Sequence, residues 1–300
     1  METTTGVHPG GLKVLVLGGH GFIGRHAVAA LRAAGAQVSV GSRDGGTIAD
    51  PVVRVRLQER LAAEQWLDIA GAFDVVLNSV GILRQRPGER YEAIHHLAPA
   101  ALAAACERTS TRFVHVSALG LRGDAKSRFL SSKFRGDQAV MAGTGDWMIA
   151  RLSLLDGEGG FGASWLRGVA QLPLFVVPAS ARGKIAALTA DDAGLALARL
   201  SLASAVALNL EQSRLFELGG SESYSFGDYV RGLRRRFSDR PARCIRVPGW
   251  LARLGAHCCD LVHFSPFSFG HWELLCADNV PQPNRLPELL GRLPDPVVSP

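Results

Sequence analysis

The sequence predicts an α/β protein, with a parallel sheet covered by helices on both faces and a small, mostly helical subdomain towards the C-terminus. Three observations lead there. The apolar run Val14-Leu15-Val16-Leu17 is followed at once by Gly18-Gly19-His20-Gly21-Phe22-Ile23-Gly24 and then by the alanine-rich residues 27–34. Short apolar runs then alternate with helical stretches of about ten to fifteen residues as far as residue 154, which is how strand–helix–strand units of a parallel sheet read. From Gly157 the pattern loosens: Gly157, Gly159, Gly160 and Gly162 crowd together, and Pro173 and Pro178 follow.

Taken in order, residues 12–17 form the first strand and residues 23–34 the first helix, closed by Gly35. Between them, Gly18 turns the chain off the strand, Gly21 lets backbone N–H groups approach a phosphate, and Gly24 lets the helix lie close on the sheet. The helix N-terminus adds unpaired donors and a partial positive charge. This is the layout of a Rossmann-type, doubly wound dinucleotide fold. The expected division is an NAD(P)-binding Rossmann domain over 11–156 and 184–219, with a small substrate or partner subdomain over 157–183 and 220–300. The second strand starts at Val38 and ends near Gly41-Ser42-Arg43-Asp44, beside the expected adenosine ribose. An acidic residue there selects NAD, and a basic one accepts a 2′-phosphate. Ser42 and Arg43 come first, so NADP(H) is favoured and NAD(H) is the alternative; the blander reading of Arg43 is a surface arginine.

Residues 52–57 alternate as a half-exposed third strand. Residues 74–78 make a compact fourth strand ending at Asn78-Ser79-Val80-Gly81, where small residues admit a nicotinamide ribose. A long helix over 90–107, despite Pro99, a fifth strand over 112–117, a helix over 126–141 and a sixth strand over 147–154 follow. Gly18, Arg43, Asn78 and Ser117 all fall at carboxyl ends of strands, where ligands of parallel sheets collect. Further on, 184–188 returns as a strand, and Asp191-Asp192 start a helix whose N–H groups they cap. Residues 216–220 form a strand and turn, and 226–237 an amphipathic, very basic segment.

Composition narrows the function. The chain has 300 residues, 47% hydrophobic and 20% charged, ample for a core, and a net charge of +6. That charge suits a phosphorylated ligand, an anionic membrane or an acidic partner. No basic stripe interleaves with aromatics, so nucleic acid is not expected. The five cysteines are few and not at zinc spacing, which reads as a reducing compartment and a cytoplasmic setting. No apolar run of about eighteen residues suggests a membrane span. His257, Cys258, Cys259, His263, His271 and Cys276 cluster, but in no metal-ligand pattern, so packing is expected and metal is not.

Five stretches and the tail carry a resemblance. They are the glycine turn, Leu77-Asn78-Ser79-Val80-Gly81-Ile82-Leu83, Phe113-Val114-His115-Val116-Ser117-Ala118-Leu119-Gly120, Ser127-Arg128-Phe129-Leu130-Ser131-Ser132-Lys133, and Asp191-Asp192. Ser265-Pro266-Phe267 and Ala277-Asp278-Asn279-Val280 add to it. On these the chain resembles the extended and atypical, epimerase/dehydratase-like short-chain dehydrogenase/reductases. It is most similar to the subgroup holding the nucleotide-binding accessory subunit of mitochondrial complex I and its bacterial relatives.

The resemblance implies a Ser, a Tyr and a Lys, the last two spaced Tyr-x-x-x-Lys. The matching positions are Ser117, Phe129 and Lys133. Phenylalanine has no ionisable proton and cannot serve as general acid or base. Lys133 keeps a ribose role, and Ser117 either bonds a carbonyl or is a small residue at a strand end. His95 falls where relatives carry a catalytic asparagine and reads as a proton relay or, more blandly, as a packing histidine. Where relatives carry an aspartate for the adenine, Arg56-Leu57-Gln58 stands instead.

The expectation is an NADP(H)-binding protein with a degenerate catalytic site, an accessory or assembly factor in a respiratory-chain or quinone-related setting. The alternative is an active NAD(P)H-dependent reductase, dehydrogenase or epimerase on a small or lipid-like substrate, with His95, Tyr91, Tyr224 or water as proton donor. A bare scaffold without nucleotide is the third. Arg231, Arg234, Arg235, Arg236, Arg240, Arg243 and Arg246 precede an apolar tail over 254–272 containing Phe264, Phe267 and Phe269. They read as a solvated face before a packed subdomain, or as a contact with a protein partner or the anionic inner face of a membrane.

Overall fold

The computed structural model describes residues 11–43, 51–262 and 267–298. Asp44, His263, Phe264, Ser265 and Pro266, weighed above, lie outside them. A parallel sheet of seven strands forms the centre: β1 Lys13–Leu17, β2 Gln37–Ser42, β3 Val52–Arg54, β4 Val75–Asn78, β5 Arg112–Ala118, β6 Trp147–Leu152 and β7 Leu215–Leu218. The spatial order is β7-β6-β5-β4-β1-β2-β3. Val14 to Leu17 are all fully buried because helices cover both faces, as a parallel sheet requires.

The period of two in β1 sorts its side chains. Val14 and Val16 join the core under α1 (Phe22–Ala33) and the later helix over Ala190–Leu202. Leu15 and Leu17 join the opposite core, with Trp66 and the α2 helix, Ala98–Arg108. The next helix, α3 (Arg128–Met141), lies against the Glu92–Leu97 turn that precedes α2. A Cβ on Gly136 would sit 1.9 Å from the His95 carbonyl oxygen, so this approach needs glycine.

Several boundaries differ from the sequence reading. The third strand stops at Arg54, and Leu57–Glu59 turns into a short 3-10 helix that buries Leu57. The long helix starts with a π-helical turn over Glu92–Leu97, and Pro99 follows in the first turn of α2, where a missing N–H is tolerated. The sixth strand ends at Leu152; Leu155–Asp156 leaves the sheet and pairs with Leu188–Thr189. The strand expected over 184–188 divides, its first half, Lys184–Ile185, pairing antiparallel with Tyr224–Ser225.

Asp191 and Asp192 do not cap their helix. Thr189 does, its hydroxyl accepting the Asp192 N–H at 3.0 Å. The buried Asp192 carboxylate instead grips the C-terminal segment, accepting from Arg292 at 2.6 Å and from the Asp295 N–H at 2.8 Å.

A further core gathers Leu166, Phe175, Val177, Ile185, Tyr229 and Leu233, joined by Val297 and Val298. It lies among helix α4 (Phe161–Gln171), helix α6 (Phe226–Arg234) and the parallel pair Leu174–Pro178 with Arg243–Val247, while helix α5 (Ala190–Leu202, the Thr189-capped one) belongs to the first core. Helices α7 (Gly249–Val262) and α8 (Phe269–Leu275) pack on each other. No helix among the described residues is long and apolar enough to cross a membrane.

Candidate functional site

The strand order reverses between β1 and β4, and a cleft opens beyond the carboxyl ends of these strands, where open α/β sheets hold their ligands. Its volume is about 670 Å³. Gly18, His20 and Gly21 line one side, Gly41, Ser42 and Arg43 the far end, and Ser79, Val80 and Gly81 the facing wall. Gly18 has φ +75°, the left-handed turn off the strand. A Cβ on Gly24 would lie 2.1 Å from the Gly18 carbonyl oxygen, so this glycine serves the close packing of helix on turn.

The remaining residues singled out in the sequence fall on either side of this wall. Gly19 is buried against Val40, and Ile23 packs into the core. Phe22 lines a second cavity, described below. Asn78 is fully buried: its Oδ1 accepts the Val80 N–H at 3.1 Å and its amide lies 3.2 Å from His115 Nδ1. It shapes the turn and leaves the wall itself to its neighbours. Ser79 donates to the Leu17 carbonyl at 2.8 Å and so ties β4 to β1 at the cleft edge. Arg43 pairs with Glu89 across the far end. Leu57 and Gln58 also line the cleft.

The sequence reading missed Arg84, Arg86 and Glu89 in the lining. Their signal was present in Arg84-Gln85-Arg86-Pro87-Gly88-Glu89, a charged loop directly after a strand end that faces the cleft.

Lys133 runs beneath the loop at Gly81, where a Cβ would lie 3.7 Å from its Nζ and 3.8 Å from His95 Nε2. Burial lowers the Lys133 pKa, and Asp137 opposes that. Ser117, offered by the sequence as a carbonyl contact or as a small residue at a strand end, lies within β5. Its hydroxyl is fully buried, faces the buried carboxylate of Asp137, and belongs to neither cavity wall. The side chain shares one face of β5 with Phe113 and His115, so it points to the helix layer.

His95, a proton relay or a packing histidine in the sequence reading, has both ring nitrogens in contact with neighbours. Nε2 accepts the Ile82 N–H at 3.1 Å, and Nδ1 lies 3.1 Å from Ser132 Oγ, which donates to the Phe129 carbonyl at 2.9 Å. Both nitrogens are engaged, and the ring, 2% exposed, stacks on Tyr91. Tyr91 in turn donates its hydroxyl to the Leu83 carbonyl at 2.8 Å. His95 is a positioning residue for the loop and for α3.

Beyond Phe22 and Leu83 lies a second cavity of about 300 Å³. Its wall is almost wholly apolar, with Ala118, Leu119, Phe129, Leu154, Leu166 and Phe267 among its members. Ser153 and Asn279 contribute polar atoms, but these bond one another at 2.8 Å, and the Asn279 amide donates to the Leu119 carbonyl at 2.9 Å. His271 completes the lining, its ring stacked 5.7 Å from that of Phe129.

Three histidines sit in apolar surroundings with depressed pKa values. Burial pushes His115 down to about 3 and His271 to about 4, and it holds His95 well below the usual range. Each folded-state pKa lies below the unfolded one. Between the two values the unfolded chain binds more protons, so stability rises with pH there and falls as pH drops below about 6.5. Each histidine contributes a slope of up to about 1.4 kcal/mol per pH unit. Thermal unfolding is therefore expected at clearly lower temperature at pH 5 than at pH 7, and equal melting temperatures would contradict the burial argument.

These features define a Rossmann-type α/β fold of the kind found in NAD(P)-dependent epimerases and reductases, with an open cleft at the switch point and an apolar cavity beside it. Residues 14–137 match the NAD dependent epimerase/dehydratase family. The Ceramide reductase of Caulobacter vibrioides is 27% identical over 244 residues, 78% of this chain and 73% of that protein. Among structures, the enzyme WbmG of Bordetella bronchiseptica in complex with NAD superposes with a TM-score of 0.66 at 14% identity, covering 96% of this chain and 91% of the other. The dTDP-4-dehydrorhamnose reductase of Bacillus anthracis in complex with NADP gives 0.65 at 13% identity, covering 94% of each.

Proposed function

We propose that the protein is an NADP(H)-dependent reductase acting on a carbonyl borne by a long apolar chain, a lipid of the kind the name of the Caulobacter relative indicates. The observation that carries this reading is the apolar cavity opening beside the cleft at Phe22 and Leu83. About 25 cal/mol for each Å² of apolar surface removed from water makes such a wall a binding site for hydrocarbon. A bound nicotinamide cofactor supplies the hydride. The chain's residues do the rest: Gly18 and Gly21 admit the pyrophosphate to the helix N-terminus, Lys133 holds ribose hydroxyls beneath Gly81, and Ser42 and Arg43 receive the 2′-phosphate. Ala118, Leu119 and Phe129 hold the chain of the substrate and keep water from the reacting carbon. The test is to mix the protein with NADPH and long-chain ketones, ceramide-like ketones included, and follow nicotinamide absorbance. Oxidation that depends on ketone chain length is expected.

The phenyl ring at Phe129 favours a second reading, in which the dinucleotide has a structural role in an accessory or assembly factor. A ligand at 100 times its Kd adds about 2.7 kcal/mol of stability. NADPH stabilisation with no turnover on any ketone or quinone would favour it over the first.

We also infer that the protein seats on an anionic membrane surface, from which such a substrate would come. Val176 and Ile245 are neighbours in register and exposed, at 53% and 46%, and Trp250 on α7 is 70% exposed. The basic run is smaller than the sequence suggests. Arg234 is buried, donating to the carbonyls of Ala170, Gln171 and Leu172, and Arg236 pairs with Asp156. Arg235, Arg240, Arg243 and Arg246 remain exposed. Cosedimentation with phosphatidylglycerol vesicles, weakened by salt and by Trp250→Ala, is expected; equal binding to neutral vesicles would count against arginine contacts.

A further inference from the structure

The proposed reaction leaves one position unfilled. The oxygen of the substrate develops negative charge as the hydride arrives, and an electrophilic donor must meet it. Phe129 stands where relatives would place a tyrosine, and the Ser117 hydroxyl is turned inward. The polar atoms of the apolar cavity belong to Ser153, Asn279, His271 and the indole of Trp165, and of these four side chains only His271 is in ring contact with Phe129 among the described residues. The first two satisfy each other.

We propose that His271 is the hydrogen-bond donor to the substrate oxygen, through Nε2, and so takes the place of the missing tyrosine hydroxyl. This rests on the reading of the apolar cavity as the substrate site. The geometry fixes the ring, and one tautomer satisfies every donor around it. Ser268 caps α8: its Oγ accepts the His271 backbone N–H at 3.1 Å and lies 2.6 Å from Nδ1. Having accepted the N–H, the hydroxyl donates its own proton to Nδ1, an arrangement that gives every proton an acceptor. The remaining ring proton is then on Nε2. That nitrogen has no hydrogen-bond partner among the described residues, while the imidazole forms part of the cavity wall.

Helix α8 is held firmly enough to aim the ring. The buried Glu273 carboxylate accepts the N–H groups of Lys126 at 2.8 Å and Ser127 at 3.0 Å, at the start of the helix that carries Phe129. Gly270 approaches Phe129 so closely that a Cβ would lie 3.0 Å from the ring. The two elements bring His271 face to face with Phe129, at 24° between ring planes. The charged groups nearest His271 are Arg84 and Asp260, which themselves pair at 3.0 Å. Burial keeps the ring neutral at ordinary pH, and a neutral imidazole donates through N–H without carrying charge into the cavity. In the reduction one hydride from the reduced nicotinamide goes to the carbonyl carbon, its oxygen is held by Nε2–H, and the proton that completes the alcohol comes from solvent water as the product leaves the cavity.

The test uses the full chain saturated with NADPH. Binding of 2-undecanone is measured by calorimetry, and its reduction by nicotinamide absorbance. His271→Phe keeps the stacking surface and removes the donor; it should weaken ketone binding by about two- to tenfold, the worth of one neutral hydrogen bond. His271→Gln keeps an N–H and should retain much of the affinity. Unchanged NADPH affinity in both variants shows that they fold. Reduction should fall in His271→Phe by much more than binding does, and Phe129→Tyr added to His271→Phe should restore it. If the ketone binds the wild type and His271→Phe equally well, the proposal is overturned. If it binds through His271 and no nicotinamide is oxidised, the contact stands and the reductase reading fails.

Discussion

Added to His271→Phe, Phe129→Tyr is expected to raise kcat/KM for ketone reduction by a factor of about 10² to 10⁴, the usual worth of a general acid. The backbone there already suits a tyrosine. Ser127 caps the helix by accepting the Leu130 N–H at 3.2 Å, and Phe129 lies in the first turn behind it, with its ring on the apolar cavity. Lys133 Nζ lies 5.9 Å from that ring centroid, so a phenol at this place would feel a cation that favours its ionised form. The measurement is steady-state kinetics of both proteins with NADPH and 2-undecanone, with NADPH affinity as the control for folding. A rate unchanged within a factor of two would mean that the ring does not face the reacting carbon, and the position of the cavity in the reaction would have to be abandoned.

The second large effect concerns the nucleotide. Arg43→Ala is expected to weaken NADPH binding by about ten- to a hundredfold, because a hydrogen bond to a charged group contributes about 1.5–3 kcal/mol. NADH affinity should stay within about twofold, since the lost contact is to the 2′-phosphate alone. The present partner of Arg43 is Glu89, so phosphate and carboxylate compete for one guanidinium. Glu89→Gln removes the competitor and should tighten NADPH. Calorimetric titration of the three proteins with both nucleotides checks this. Equal losses for NADPH and NADH in Arg43→Ala would refute the assignment of NADP(H).

Much of the fold was legible because local rules and global structure agree. The turn at Gly18 to Gly24 follows a four-residue apolar run and precedes alanines, and each of those signals depends only on neighbours in the chain. The helix expected over 126–141 starts two residues later, behind the Ser127 cap. The orientation of Ser117 was not legible. Alternation along β5 groups it with Phe113 and His115, but only the assembled layers reveal that this face meets Asp137 on α3. Asp192 misled for a related reason. Its place at a helix start suits a cap, yet Thr189 already fills that role, and the demand for a carboxylate arises from Arg292, 100 positions away. His271 looked like a member of a cysteine–histidine cluster; its stacking on Phe129 joins residues more than a hundred positions apart, which spacing cannot show.

The long-range contacts of the C-terminal segment also bear on how fast the molecule forms. Ser153 meets Asn279 across 126 positions, Ser127 meets Glu273 across 146, and Asp192 meets the Asp295 N–H across 103. Each of these closures costs loop entropy before it returns any contact, and non-local contacts of this kind slow folding. The same contacts close the wall of the apolar cavity at Asn279 and His271. A chain that has formed its sheet but not yet received this segment would already present its glycine turn to a nucleotide, with the hydrocarbon site still open to water. The cleft at the glycine turn can therefore be complete at a stage of folding when the apolar cavity is not.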